Sequence, residues 1–138
     1  MSYNVNTKGL YPWFIEDGEE LIAPSDLERF KNLSPYGKVF ECIDEDGEYI
    51  TLKYGEEIYH VKPKLYKQVG ASIYPIGSEV RLTIKPEVTG VIIDINWHSK
   101  NNAPLYYISV NGKRKSTRYM NDELIKIKLA YGISLYVK

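Results

Sequence analysis

Three stretches of the 138-residue chain gather side chains suited to recognition. In "NWHSKNNAPLYY", residues 96–107, Trp97 and His98 close an apolar run, and Tyr106 and Tyr107 resume it after a polar lobe. Aromatic rings held at loop ends can seat a cation or a peptide side chain, which makes Trp97, His98, Tyr106 and Tyr107 candidate protein-binding residues. The competing reading is a packed hairpin rim, since 13 tyrosines make some clustering unavoidable. In "KRKSTR", residues 113–118, Lys113, Arg114, Lys115 and Arg118 join Lys100 of the polar lobe as candidate nucleic-acid contacts, with cations on phosphates and a nearby tyrosine stacked on a base. Against this, strand alternation points Lys113 and Lys115 away from Arg114 and Arg118, and lysines on a hairpin serve equally to discourage edge pairing. The third stretch, "EDGEE", sets Glu16, Asp17, Glu19 and Glu20 between Trp13-Phe14 and Leu21-Ile22. It can engage a basic partner, as an inhibitor or immunity protein does, or be a solvated turn.

Catalytic and metal chemistry have little to build on. Two histidines, His60 and His98, and the lone Cys42 cannot assemble a usual structural zinc site. "DEDGE", residues 44–48, lacks the spaced ligands and terminal Glu of a calcium loop and reads as a hairpin turn. There is no phosphate-cradling glycine loop and no nucleophile elbow. Cys42 sits in the strand-like run "KVFECI", where a thiol acts as a small hydrophobe. The expectation is a non-enzyme without cofactor or metal. A single cysteine suits a reducing compartment, no run approaches a membrane-spanning length, and "MSYNVNTKGL" lacks the pattern of a signal peptide, so a cytoplasmic protein with no membrane partner is expected.

The elements that would position these residues fall into two groups. Residues 1–70 carry 8 Lys/Arg against 13 Asp/Glu, and residues 71–138 carry 10 against 5, so opposite net charges accompany zero overall. Complementary halves can dock on each other or offer separate faces to different partners. In the first half, Ser25 and Glu28 have capping-box spacing. Leu27, Phe30 and Leu33 then share one helical face, and Ser34-Pro35 ends the element, predicting a helix over 25–33. "KVFECI" (38–43), "YITLKY" (49–54) and "IYHVK" (58–62) predict a meander with glycine-bearing turns. Ile50, Leu52 and Tyr54 should form the face that meets the helix.

In the second half, strands are predicted over 79–84, 91–97, 105–110 and 114–119, with Asn111-Gly112 as a tight hairpin turn, one helical turn in "MNDEL", and one or two closing strands after it. Simple alternation puts Val91, Ile93, Ile95 and Trp97 on one face, with Ile92, Asp94, Asn96 and His98 on the other. The fold class expected is α+β, mainly β: a short helix on a small antiparallel sheet in residues 1–70, followed by a small closed barrel in 71–138.

The strand spacing after residue 77, the Gly90-Val91 strand entry and the turn Asp122-Glu123-Leu124 resemble the SH3-like small barrels, including Tudor and KOW modules. The whole chain, on "YPWFIEDGEELIAPSDLERFKNLSPYGKVFEC", "VKPKLYKQV" and "DINWHSKNNAPLYYISVNGKRKSTRY", resembles a family of uncharacterised small proteins of Gram-positive bacteria. That resemblance implies a shared fold and brings no established activity. The function expected is therefore a non-catalytic cytosolic adaptor that recognises an unknown protein partner through the aromatic rim. Nucleic-acid binding through the basic strand and an inhibitor-type role for the acidic segment are the alternatives.

Overall fold

A computed structural model describes residues 4–70, 73–130 and 133–136, and within these the side chains up to Ile127. The chain is mainly β, with a single short α-helix among the described residues, and it divides into two units, Met1–Gly70 and Ala71–Lys138.

The first unit contains β1 (Thr7–Leu10), α1 (Leu27–Leu33), β2 (Val39–Glu45), β3 (Ile50–Tyr54), β4 (Glu57–Val61) and β5 (Lys67–Gln68). Its antiparallel sheet has the order β4-β3-β2-β1-β5. Ile50 and Leu52 are fully buried on the covered face; on the other face Lys53 is exposed while Thr51 is buried. The cover is α1, whose Phe30 is buried among the rings of Tyr11, Trp13, Phe40 and Tyr59 at centroid distances of 5.1–5.8 Å. The helix starts later than the capping box predicts: Asp26, not Ser25, holds the N-cap position, and no side chain caps the backbone there. The Asp26 carboxylate is committed instead to the outer edge of β4. The helix stops at Ser34, which takes a left-handed φ of 55° just before Pro35. Outer strand β5 and its neighbour β1 had no strand signature, because "TKGL" and "KQ" show no apolar alternation. Between β1 and α1, the acidic segment winds into two 3-10 turns, Ile15–Asp17 and Glu19–Leu21.

The second unit contains β6 (Glu79–Leu82), β7 (Thr89–His98), β8 (Ala103–Val110), β9 (Lys113–Arg114), β10 (Leu124–Ala130) and β11 (Ile133–Tyr136), in the order β11-β10-β6-β7-β8-β9. Asn111 and Gly112, with φ of 53° and 79°, form the two-residue turn from β8 to β9 that Asn-Gly favours. A 3-10 turn, Asn121–Glu123, precedes β10, and Glu123 accepts a hydrogen bond from the Met120 backbone N–H at 2.8 Å. Two expectations fail here. The predicted fourth strand over 114–119 shrinks to Lys113–Arg114 plus an isolated bridge from Tyr119 to Tyr106, since a polar segment with no apolar alternation has no covered face to bury. Among the described residues no ladder joins outer strands β9 and β11, so the sheet is open and the expected closed barrel is not formed.

Gly90 permits the close approach of β7 and β8: a Cβ there would lie 2.5 Å from the Ser109 carbonyl oxygen. Because that obstacle is backbone, relief requires moving a strand. Gly90→Ala is expected to cost about 2 kcal/mol. The measurement is hydrogen exchange of the β7 and β8 amides, and unchanged protection would refute the close-packing argument.

Candidate functional site

The expected aromatic rim does not form one surface. A β-bulge between Ile92 and Asp94 inserts an extra residue into β7 and reverses the alternation beyond it. Ile92 thereby joins Ile95 in the core, and Val91 turns outward, which corrects the faces expected from simple alternation. Cross-strand pairing then places Ile95 opposite Tyr106 and Trp97 opposite Pro104 on the core side, with Asp94 opposite Tyr107 and His98 opposite Ala103 on the other side. Tyr106 is fully buried; its hydroxyl donates to Asn121 Oδ1 and accepts from the Tyr74 N–H at 3.0 Å. Burial pushes that hydroxyl up to about 12, which keeps its proton in place as a structural donor. Tyr106 is therefore a core residue and no contact anchor. Trp97 and His98 are half-buried, and His98 Nδ1 accepts the Asn101 N–H at 3.2 Å, tying down the turn over 99–102.

The basic residues are also dispersed. Lys113, Lys115 and Arg118 are exposed, but Arg114 is engaged: its guanidinium lies 4.5 Å from the Tyr107 ring centroid and 3.2 Å from the carboxylate of Asp94, a buried residue. This arrangement neutralises a buried acid, so Arg114 adds little free positive charge. Lys100 is exposed on the opposite end of the β7–β8 hairpin, separated from Lys113 by the length of β8, roughly 20–25 Å at strand spacing. Lys100 is therefore not contiguous with the 113–118 cluster.

The side chains that do converge lie in the first unit. The turn after α1 and the chain after β1 bring Phe14 and Tyr36 into a stack with centroids 4.9 Å apart and planes 23° apart. Both remain open to solvent, Phe14 at 53% and Tyr36 at 61% exposure, with Ile15 beside them at 41%. They border an apolar cleft of about 270 Å³ whose wall includes Trp13, Ser34 and Pro35. The rings are held from beneath: Trp13 is buried and its Nε1 donates to the Gly18 carbonyl at 2.9 Å, while the Phe14 N–H donates to Asp17 Oδ2 at 2.7 Å. Contiguous exposed aromatics are unusual on a solvated surface, which makes this stack the candidate contact site. In the sequence, Trp13 and Phe14 belong to the apolar run "LYPWFI" that flanks the acidic turn, and Tyr36 carries no recognition signal of its own. Its place beside Pro35, directly after a helix end, is the available cue, but its pairing with residue 14 depends on tertiary packing.

Arrangements that support catalysis are poorer. His60 Nδ1 lies 2.9 Å from Asp26 Oδ2, the acid–imidazole pairing that can orient a general base. Asp26 is shared, however, with the His60 backbone N–H at 2.7 Å and Arg29 at 2.7 Å, and among the described residues no hydroxyl or thiol is hydrogen-bonded to His60. In the second unit a cleft of about 520 Å³ brings Ser78, Glu79 and Lys126 together, but the Ser78 hydroxyl donates to the Pro75 carbonyl and the lining holds no imidazole. Among the described residues no group of three His, Cys, Asp or Glu is placed to hold a metal ion, and no helix is long and apolar enough to cross a membrane.

The model of a family of unknown function, DUF6960, covers residues 1–125. No curated protein and no solved structure matches the chain.

Proposed function

We propose that this chain, which belongs to DUF6960, is a non-catalytic binding module of the cytosol that docks another protein on the Phe14–Ile15–Tyr36 surface. The observation that carries this reading is the exposed Phe14–Tyr36 stack beside an apolar cleft. Large rings with few rotatable bonds lose little entropy when covered, which makes them effective anchors. The cleft is smaller than the usual pocket for a cofactor or metabolite and suits one protruding side chain of a protein. The second unit is read as an SH3-like fold left open. Support comes from the way its strands are joined: β6 pairs with both β7 and β10, and a 3-10 turn introduces the returning strand.

Affinity capture from native cytosol, with the wild type and a Phe14→Ser/Tyr36→Ser variant in parallel, tests the site. Both rings are largely solvated, so their loss should leave folding intact while reducing captured protein at least tenfold. Nuclease treatment should change nothing, and added salt should weaken capture far less than it weakens a phosphate-bound complex. Capture that disappears with nuclease, or that the double variant retains in full, defeats the proposal.

A further inference from the structure

We infer that the docking surface takes a basic protein segment in which one large apolar side chain fills the cleft while flanking lysines or arginines meet the carboxylates around it. The inference rests on the docking reading above and adds the chemistry of the partner. Three observations converge on it. The cleft holds about 270 Å³, room for one large side chain rather than a folded surface. The first 3-10 turn begins at Ile15 on its wall, and this turn and the next display Glu16, Glu19 and Glu20 to solvent; among the described residues none of the three takes part in an ion pair. Asp17 adds a fourth exposed carboxylate, although one of its oxygens already accepts the Phe14 N–H.

The cation on the cleft wall does not reverse this field. Lys31 pairs with Glu28 at 3.6 Å, so its charge is offset within α1. Like charges crowded onto a short turn repel one another, and a partner that brings positive charge relieves that repulsion as it binds. An acidic partner would add to it. The apolar anchor supplies contact, and the carboxylates select its neighbours and speed encounter.

A randomised dodecapeptide library displayed on phage and selected on the full-length chain is the probe. Enriched peptides should share one aromatic or large aliphatic residue flanked by Lys or Arg. Synthetic copies should bind the Glu16→Gln/Glu19→Gln/Glu20→Gln variant at least fivefold more weakly, lose a similar factor between 50 and 300 mM salt, and fail on the Phe14→Ser/Tyr36→Ser variant. Acidic or uncharged enriched peptides, or equal binding to the three-glutamine variant, overturn the basic-segment inference and leave the docking surface standing. Full binding to the ring variant, or no enrichment above background, overturns both.

Discussion

Replacing Phe30 with Ala is expected to cost about 3–5 kcal/mol, the largest single effect in the chain. Phe30 is fully buried and touches four other aromatic rings, so truncation empties a space that neighbouring side chains from the sheet and the 10–15 segment cannot all enter. A unit of about 70 residues has a total stability on the order of 4–10 kcal/mol, which means that the substitution takes away much of it. The chain has two tryptophans, Trp13 in the first unit and Trp97 in the second. In a Trp97→Phe background, Trp13 fluorescence therefore reports the first unit alone. Its urea midpoint should fall sharply in Phe30→Ala and only slightly in Phe30→Leu, which keeps most of the volume. A loss below about 1 kcal/mol would mean that the ring cluster is not the packing centre.

The legibility of that cluster in the sequence follows from periodicity. Phe30 stood out because Leu27, Phe30 and Leu33 repeat at helical spacing, and Ile50 and Leu52 because they alternate in a strand; both patterns come from burying one face of a regular element. What escaped reading depends on contacts distant in the chain. The pairing of β1 with β2 uses backbone hydrogen bonds that "TKGL" does not advertise. The bulge in β7 is invisible because "VIIDINW" alternates acceptably in either phase, yet one extra residue decides that Ile92 rather than Val91 shares the core face with Ile95 and Trp97. The aromatic rim fails as one surface because Tyr106 is drawn into the core while Tyr107 faces the other side, and the Phe14–Tyr36 stack joins residues 22 positions apart through a helix and its C-terminal turn.

Asp26→Asn is expected to destabilise the first unit by about 2–3 kcal/mol at neutral pH, the second largest effect. The segment Ile22–Arg29 runs along β4, the outer strand of its sheet, where unpaired backbone groups must find partners. Ala23 donates to the His60 carbonyl at 2.9 Å, and Asp26 accepts both the His60 backbone N–H and its Nδ1 while also receiving Arg29, which reaches on to the Ile58 carbonyl. An amide in place of the carboxylate turns one acceptor oxygen into a donor facing other donors. The acidity of Asp26 gives the test its pH signature. Burial pushes its carboxyl up, but the backbone and ring hydrogen bonds from His60, together with Arg29, outweigh burial and hold it below the usual carboxylate range. A depressed folded value means that the unfolded chain binds the proton more tightly, so the contribution is fully present above the unfolded pKa of about 3.9 and is lost as pH falls through the folded value. The stability gap between wild type and Asp26→Asn should therefore be constant above about pH 5 and close progressively at more acidic pH, as followed by Trp13 fluorescence in urea. A gap that persists unchanged to pH 2 would assign the effect to shape rather than charge, and the carboxylate would then not be what secures α1 to the sheet edge.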